Sequence, residues 1–154
     1  KEYEQGEYIP LTVEQAVDRA KDIMQLFNNA KIEVIRIGLQ NTEEITDPSE
    51  ESSQVIAGPY HPAFRQLVES GMWYDEIVQK IKKFNIKVMQ VTIKANPENI
   101  NNIIGHKKEN VLKLKEFYDV DVVVKPDENI KKGKFEIEID KTYEDILEEL
   151  KAKK

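Results

Sequence analysis

The chain of 154 residues contains no cysteine. Without thiols it can build neither a disulfide framework nor a thiolate-held iron–sulfur cluster. Histidine is nearly as scarce. His61 and His106 stand far apart with no further soft ligand beside either, so no metal site is expected. Glycine is sparse too, and no Gly-rich loop, Walker motif, dinucleotide fingerprint or nucleophile elbow is present. The acid-rich stretches 43–51 and 144–149 lack the alternation of a calcium loop and read as solvated faces. No apolar run reaches bilayer-spanning length and no secretory segment is seen, which leaves the cytoplasm as the default compartment, with no membrane partner. On these grounds no catalytic residue is identified.

What is present is enough apolar content, 40%, for one domain or two small ones. The net charge of −6 is unevenly placed: residues 82–134 carry 12 lysines against 7 acids, a balance of +5, and the flanks carry −11. A basic module between acidic flanks is the pattern of a chain whose parts meet different partners. The plainer reading is a lysine-rich solvated surface.

Residues 1–84 form the first expected unit. Thr12 and Gln15 make a capping box. Val13, Ala16, Val17, Ala20, Ile23, Met24 and Phe27 then recur at helical spacing, which predicts one face buried against a sheet, with Asn28-Asn29 ending the helix. The β-branched run from Ile32 to Ile37 predicts a strand. Helix then strand is the closing beat of an α/β barrel, where ligands meet the carboxyl ends of the strands. Gly38, Leu39 and Gln40 stand at that end; Gly38 also reads simply as a bend. An acidic loop follows over 41–57. Gly58-Pro59 forces a turn, and Tyr60, His61 and Pro62 meet where the next helix begins, with Phe64, Leu67 and Val68 expected inward. His61 and Arg65, four apart, suit a polar cluster at a possible active-site rim with Tyr60, although a capping histidine fits as well, and Arg65 is expected to tie the acidic loop to the strand end.

Residues 85–154 form the second unit. A strand is expected over 86–94, with a bulge at Val88-Met89. Asn96-Pro97-Glu98 starts a short helix with Ile100, Ile103 and Ile104 on its apolar face. Gly105, His106, Lys107 and Lys108 interrupt it, and a second helix points Val111, Leu112, Leu114 and Phe117 inward. Strands over 120–125 and 134–139 follow, around a loop with Pro126 and Gly133. The last helix, capped by Thr142 or Asp140, is expected to bury Tyr143, Ile146, Leu147 and Leu150. The fold class is therefore α/β, α+β overall.

Two resemblances stand beside this reading. Arg36-Ile37-Gly38-Leu39-Gln40-Asn41-Thr42-Glu43 and Ala57-Gly58-Pro59-Tyr60-His61-Pro62-Ala63-Phe64-Arg65 resemble the segment beyond the catalytic core of radical S-adenosylmethionine (radical SAM) proteins related to the Elongator catalytic subunit, often labelled oxygen-independent coproporphyrinogen oxidases. That resemblance covers residues 7–83 and implies a radical SAM barrel ahead of Lys1, S-adenosylmethionine and a four-iron four-sulfur cluster in the parent protein, and cofactor contact at Gly38, Leu39 and Gln40. The chain, starting within the polar run KEYEQGEY, reads as an excised fragment, inactive alone and lacking the cysteines for the cluster. Residues 103–111 resemble the central signature of the eukaryotic-type KH domain, whose element order is βααββα and whose Gly-x-x-Gly loop clamps a nucleic-acid backbone. Gly105 matches the first glycine; Lys108 replaces the second. The resemblance implies RNA contact, transfer RNA above all, at Gly105, His106, Lys107, Lys108, Lys131 and Lys132, with Lys125 and Lys134 nearby. The alternatives are a tetrapyrrole enzyme of the coproporphyrinogen oxidase type, and a degenerate KH-like module that docks the barrel or dimerises without RNA.

Overall fold

The computed structural model describes residues 2–153 apart from 41, 43, 46 and 52, so the expectations resting on Asn41 and Glu43 lie outside the described residues. Among the described residues the fold is α+β: five α-helices and one three-stranded sheet. Two compact units divide at Gly71/Met72, inside a helix and ahead of the boundary drawn from the sequence.

In the first unit, α1 spans Val13–Asn29. The Thr12 amide donates to Gln15 Oε1 at 3.0 Å and the Gln15 amide donates to Thr12 Oγ1 at 3.2 Å, closing the expected capping box. The helix ends at the asparagine pair by turning left-handed at Lys31, φ 57°, so that the Lys31 and Ile32 amides reach the Asn28 and Phe27 carbonyls. The face predicted for α1 is covered only in part: Val13, Ala16, Val17, Ala20 and Met24 are half-buried. None of its residues is fully buried, and Ile23 and Phe27 are exposed. Nor do residues 32–37 form a strand: the backbone has no ladder, and Ile35 is 86% exposed. A strand exists only as one of a hydrogen-bonded set, and β-branched composition alone provides no second strand.

Helix α2 runs Phe64–Lys82. It starts where the Ala63 amide donates to His61 Nδ1 at 3.1 Å, so His61 caps the helix. Val68 is fully buried and Phe64 and Leu67 are half-buried, as the spacing predicts.

The second unit has the order β1 (Val88–Ala95), a 3₁₀ turn (Pro97–Asn99), α3 (Ile100–Ile104), a second 3₁₀ turn (His106–Lys108), α4 (Glu109–Tyr118), β2 (Asp121–Pro126), β3 (Phe135–Thr142) and α5 (Tyr143–Ala152). β1 is central, parallel to β2 and antiparallel to β3. Its register shifts between Val88, Gln90 and Val91, the bulge expected from the broken alternation. Val91, Ile93 and Ala95 alternate onto one face and meet Ile77 and Ile81 of α2, Ile103 of α3 and Leu114 of α4 in a single core. Trp73 meets the edge of Phe135 at 5.6 Å between centroids, and Lys80 lies over the same ring while donating to the Phe135 carbonyl.

Two inward assignments are corrected here. On α4 the buried row is Asn110 and Leu114, with Tyr118 half-buried one turn further on. Leu112, 61% exposed, lies two positions from Leu114 and so on the far side of a helix with 3.6 residues per turn, and Phe117 is 65% exposed as well. On α5 the cap is Thr142, not Asp140, closed by Asp145 in a capping box. Only Ile146 of its stripe is half-buried; Tyr143, Leu147 and Leu150 are exposed. Asp140 instead accepts a hydrogen bond from Thr92 Oγ1 at 2.8 Å, which holds β3 to β1.

Candidate functional site

Each unit holds one candidate site. In the first, a cavity of about 320 Å³ brings together Gly38 and Leu39 with Val55, Ala57 and the segment Gly58–His61, closed by Phe64. Residues more than fifteen positions apart in sequence thus share one wall. Of the residues assigned to cofactor contact, Gly38 and Leu39 line it and Gln40 does not; of the rim residues, Tyr60 and His61 line it and Arg65 does not. The described lining residues are apolar apart from the Tyr60 phenol and the His61 imidazole, and none of them carries a charged side chain.

Gly38 has a local reason to be glycine. Its φ is +80°, and an added Cβ would stand 3.0 Å from Cδ1 and 3.2 Å from Cβ of Phe64. The face a side chain would occupy is already filled by the ring. Arg65 donates to the Ile35 carbonyl at 3.1 Å and pairs with Glu69 at 2.7 Å. Its described partners are therefore the 32–37 segment and its own helix, not the acidic loop. His61 uses Nδ1 as the acceptor for the Ala63 amide just ahead of α2.

In the second unit the site is the connection between α3 and α4. Gly105 has φ 84° and ψ 164°, and its amide closes α3 on the Asn101 carbonyl. Lys107 and Lys108 then take left-handed backbone angles, φ 50° and 65°, before α4 begins. Two consecutive L residues in this region are uncommon and strained by about 1 kcal/mol each. What holds the loop there is Asn110, 4% exposed, whose side-chain amide donates to the Asn102 and Ile103 carbonyls at 3.2 and 3.1 Å. The sequence reasoning passed over Asn110. The signal was its place in the i, i+4 row with Leu114, where a polar residue needs a buried partner.

The β2–β3 loop carries Lys131 and Lys132. Its shape is fixed by the Asn96 side chain donating to the Ile130 carbonyl at 3.0 Å and the Gly133 amide donating to Asn99 Oδ1 at 2.9 Å. Asn99, buried, was also missed. β1 and β2 both end at this end of the sheet, where Ala95 pairs Pro126 and Phe135. Lys132 is not a spare cation: Glu98 meets it at 2.6 Å, and that hydrogen bond holds its ammonium above the ordinary lysine range. Lys131 and Lys134 are exposed on the same loop, as is Lys125 at the end of β2.

Among the described residues no cluster of His, Asp and Glu is disposed to hold a metal ion, and no helix is long and apolar enough to cross a membrane. No curated protein and no solved structure gives a significant match to the chain. Residues 1–74, however, match the family model described as the Radical_SAM C-terminal domain, which supports a radical SAM protein's C-terminal region as the origin of this part of the chain.

Proposed function

We propose that the chain is the C-terminal region of a radical SAM enzyme of the Elongator-like group, and that its second unit is a KH-like module that holds RNA, transfer RNA above all, while a barrel outside these residues performs the radical chemistry. The observation that carries the RNA reading is the α3–α4 loop, where two exposed lysines stand side by side on a backbone fixed from within by Asn110. It lies in the window whose balance is +5 against −11 for the rest. A local excess of cation on a rigid loop suits a phosphate chain, whose binding is dominated by charge neutralisation.

The parent enzyme would use S-adenosylmethionine and a four-iron four-sulfur cluster. The cluster's thiolates must come from outside these residues, because the chain has no cysteine. The cavity in the first unit fits only part of the cofactor. Its apolar, ring-bearing lining suits an adenine face, and none of its described residues offers a charged side chain to the amino-acid end. Gly38 and Leu39 are the residues of this chain that would meet it. Cytoplasm is the compartment this reading implies.

The exposed apolar residues of the first unit favour a complementary reading of that unit alone. Ile23, Leu26 and Phe27 of α1, with Ile32 and Ile35 of the segment after it, suit a surface on which the catalytic barrel packs. The 32–37 backbone, which has no ladder partner among the described residues, would then join the barrel's sheet.

Anisotropy of fluorescent transfer RNA titrated with the chain at two salt concentrations tests the main reading. The expected result is binding that weakens as salt rises and is lost in the Lys107→Glu, Lys108→Glu double variant. Absence of binding by a folded sample would return the module to a docking or dimerisation role.

A further inference from the structure

Two features of the α3–α4 loop bear on how it meets a phosphate. At Gly105 the room left by the missing side chain is already taken: an added Cβ would lie 2.9 Å from the Asn110 amide nitrogen and 3.0 Å from its Cγ. Gly105 is itself buried. The glycine therefore makes space for Asn110, the residue that shapes the loop, and not for a strand of nucleic acid laid against the backbone.

At the other end of the loop the backbone is of the kind that glycine enters freely and L residues enter under strain, yet both places are lysine, with φ 50° at Lys107 and 65° at Lys108. Both side chains are exposed, and neither joins an ion pair among the described residues, in contrast to Lys132 with Glu98 and Lys113 with Glu109. A long side chain at these positions stands between the backbone and anything approaching it.

We infer that the loop engages RNA through the Lys107 and Lys108 ammonium groups, as paired point charges on a preset frame, and not by close backbone approach. The inference rests on the RNA reading above and goes further by naming the contacting atoms. It also sets the specificity: ammonium groups take phosphate oxygens without regard to base, so the loop supplies affinity that is independent of sequence.

The two modes of contact give opposite signs for one substitution. Lys108→Gly removes the charge and relieves the left-handed backbone together. Where the ammonium is the contact, this variant binds transfer RNA more weakly. The slope of log affinity against log salt becomes shallower by about 0.7–0.9, equivalent to roughly five- to eightfold at 0.1 M salt. Where backbone approach is the contact, the same variant binds as well or more tightly. Lys108→Arg keeps the charge and is expected to keep the slope. Far-UV circular dichroism of each variant verifies the fold, which glycine at a positive φ is expected to preserve. Binding by the native chain together with unchanged or tighter binding by Lys108→Gly overturns this inference and leaves the RNA reading standing. No binding by the native chain at low salt overturns both.

Discussion

The two units differ most in what their apolar residues do. Among the described residues Val68 is the only buried apolar residue of the first unit, whereas the second buries twelve, from Ile77 to Phe135, most of them on one continuous core. Yet the first unit is not poor in apolar residues: Ile9, Ile23, Leu26, Phe27, Ile32, Ile35, Leu39 and Ile56 are all exposed. An apolar stripe at helical spacing marks the face that gains by leaving water. What covers that face is a separate matter: in the second unit β1 and its two neighbours bury it, whereas in the first the stripe of α1 is left only half-buried.

The largest expected effect tests this contrast directly. Ile93→Ala or Leu114→Ala, each removing a side chain only 1% exposed, should destabilise the second unit by about 2–5 kcal/mol. Leu26→Ala, on an exposed α1 position, should change stability by no more than about 0.5 kcal/mol. Urea unfolding of the three variants checks this, and a Leu26 loss as large as that of Ile93 would break the comparison.

Local features, by contrast, should be worth the same in both units. Thr12 and Thr142 head capping boxes of the same construction, one on α1 and one on α5. Thr12→Ala and Thr142→Ala should each weaken their helix by about 1 kcal/mol, visible as faster amide exchange confined to the first turns. A markedly larger loss at Thr142 would show that α5 is held by more than its cap.

The smallest effect is a pH dependence. The Thr142 hydroxyl, and then its backbone N–H, hydrogen-bond Asp145 and hold its carboxyl below the ordinary aspartate value. A carboxylate depressed in the folded state contributes stability that is complete above its unfolded pKa and is lost as pH falls through the folded one. Acidification should therefore fray the start of α5 while leaving α1, capped by the neutral Gln15, unchanged. Amide chemical shifts across an acid titration would show the difference, and equal fraying at both helix starts would remove the carboxylate from the account.

Much of the fold was legible because its signals are local. Thr12/Gln15 and Asn96-Pro97-Glu98 act within four residues, the β1 bulge follows from a break in strict alternation, and the βααββα order follows from changes of period. The strand expected at 32–37 and the buried faces expected of α1 and α5 depend on partners, and periodicity contains no information about a partner. The candidate sites divide in the same way. Gly38, Tyr60 and His61 stood out by residue type and do share one cavity; Phe64, which makes Gly38 necessary, was read only as core. The basic loop stood out by charge, but the bonds from Asn96 to Ile130 and from Gly133 to Asn99 each span 34 residues, and no local pattern names those partners.

The central position of β1 has a consequence during synthesis on the ribosome. Its antiparallel partner β3 follows it by about 40 residues, as the pair Ala95 and Phe135 shows. At about 5–20 residues per second, that is roughly 2–8 s of translation. Over that interval the nascent chain can set helices against one face of β1 and β2 along one edge, while the other edge waits with its amides and carbonyls open. Chaperone capture or a pause in elongation within that interval would act on this strand before any other part of the sheet.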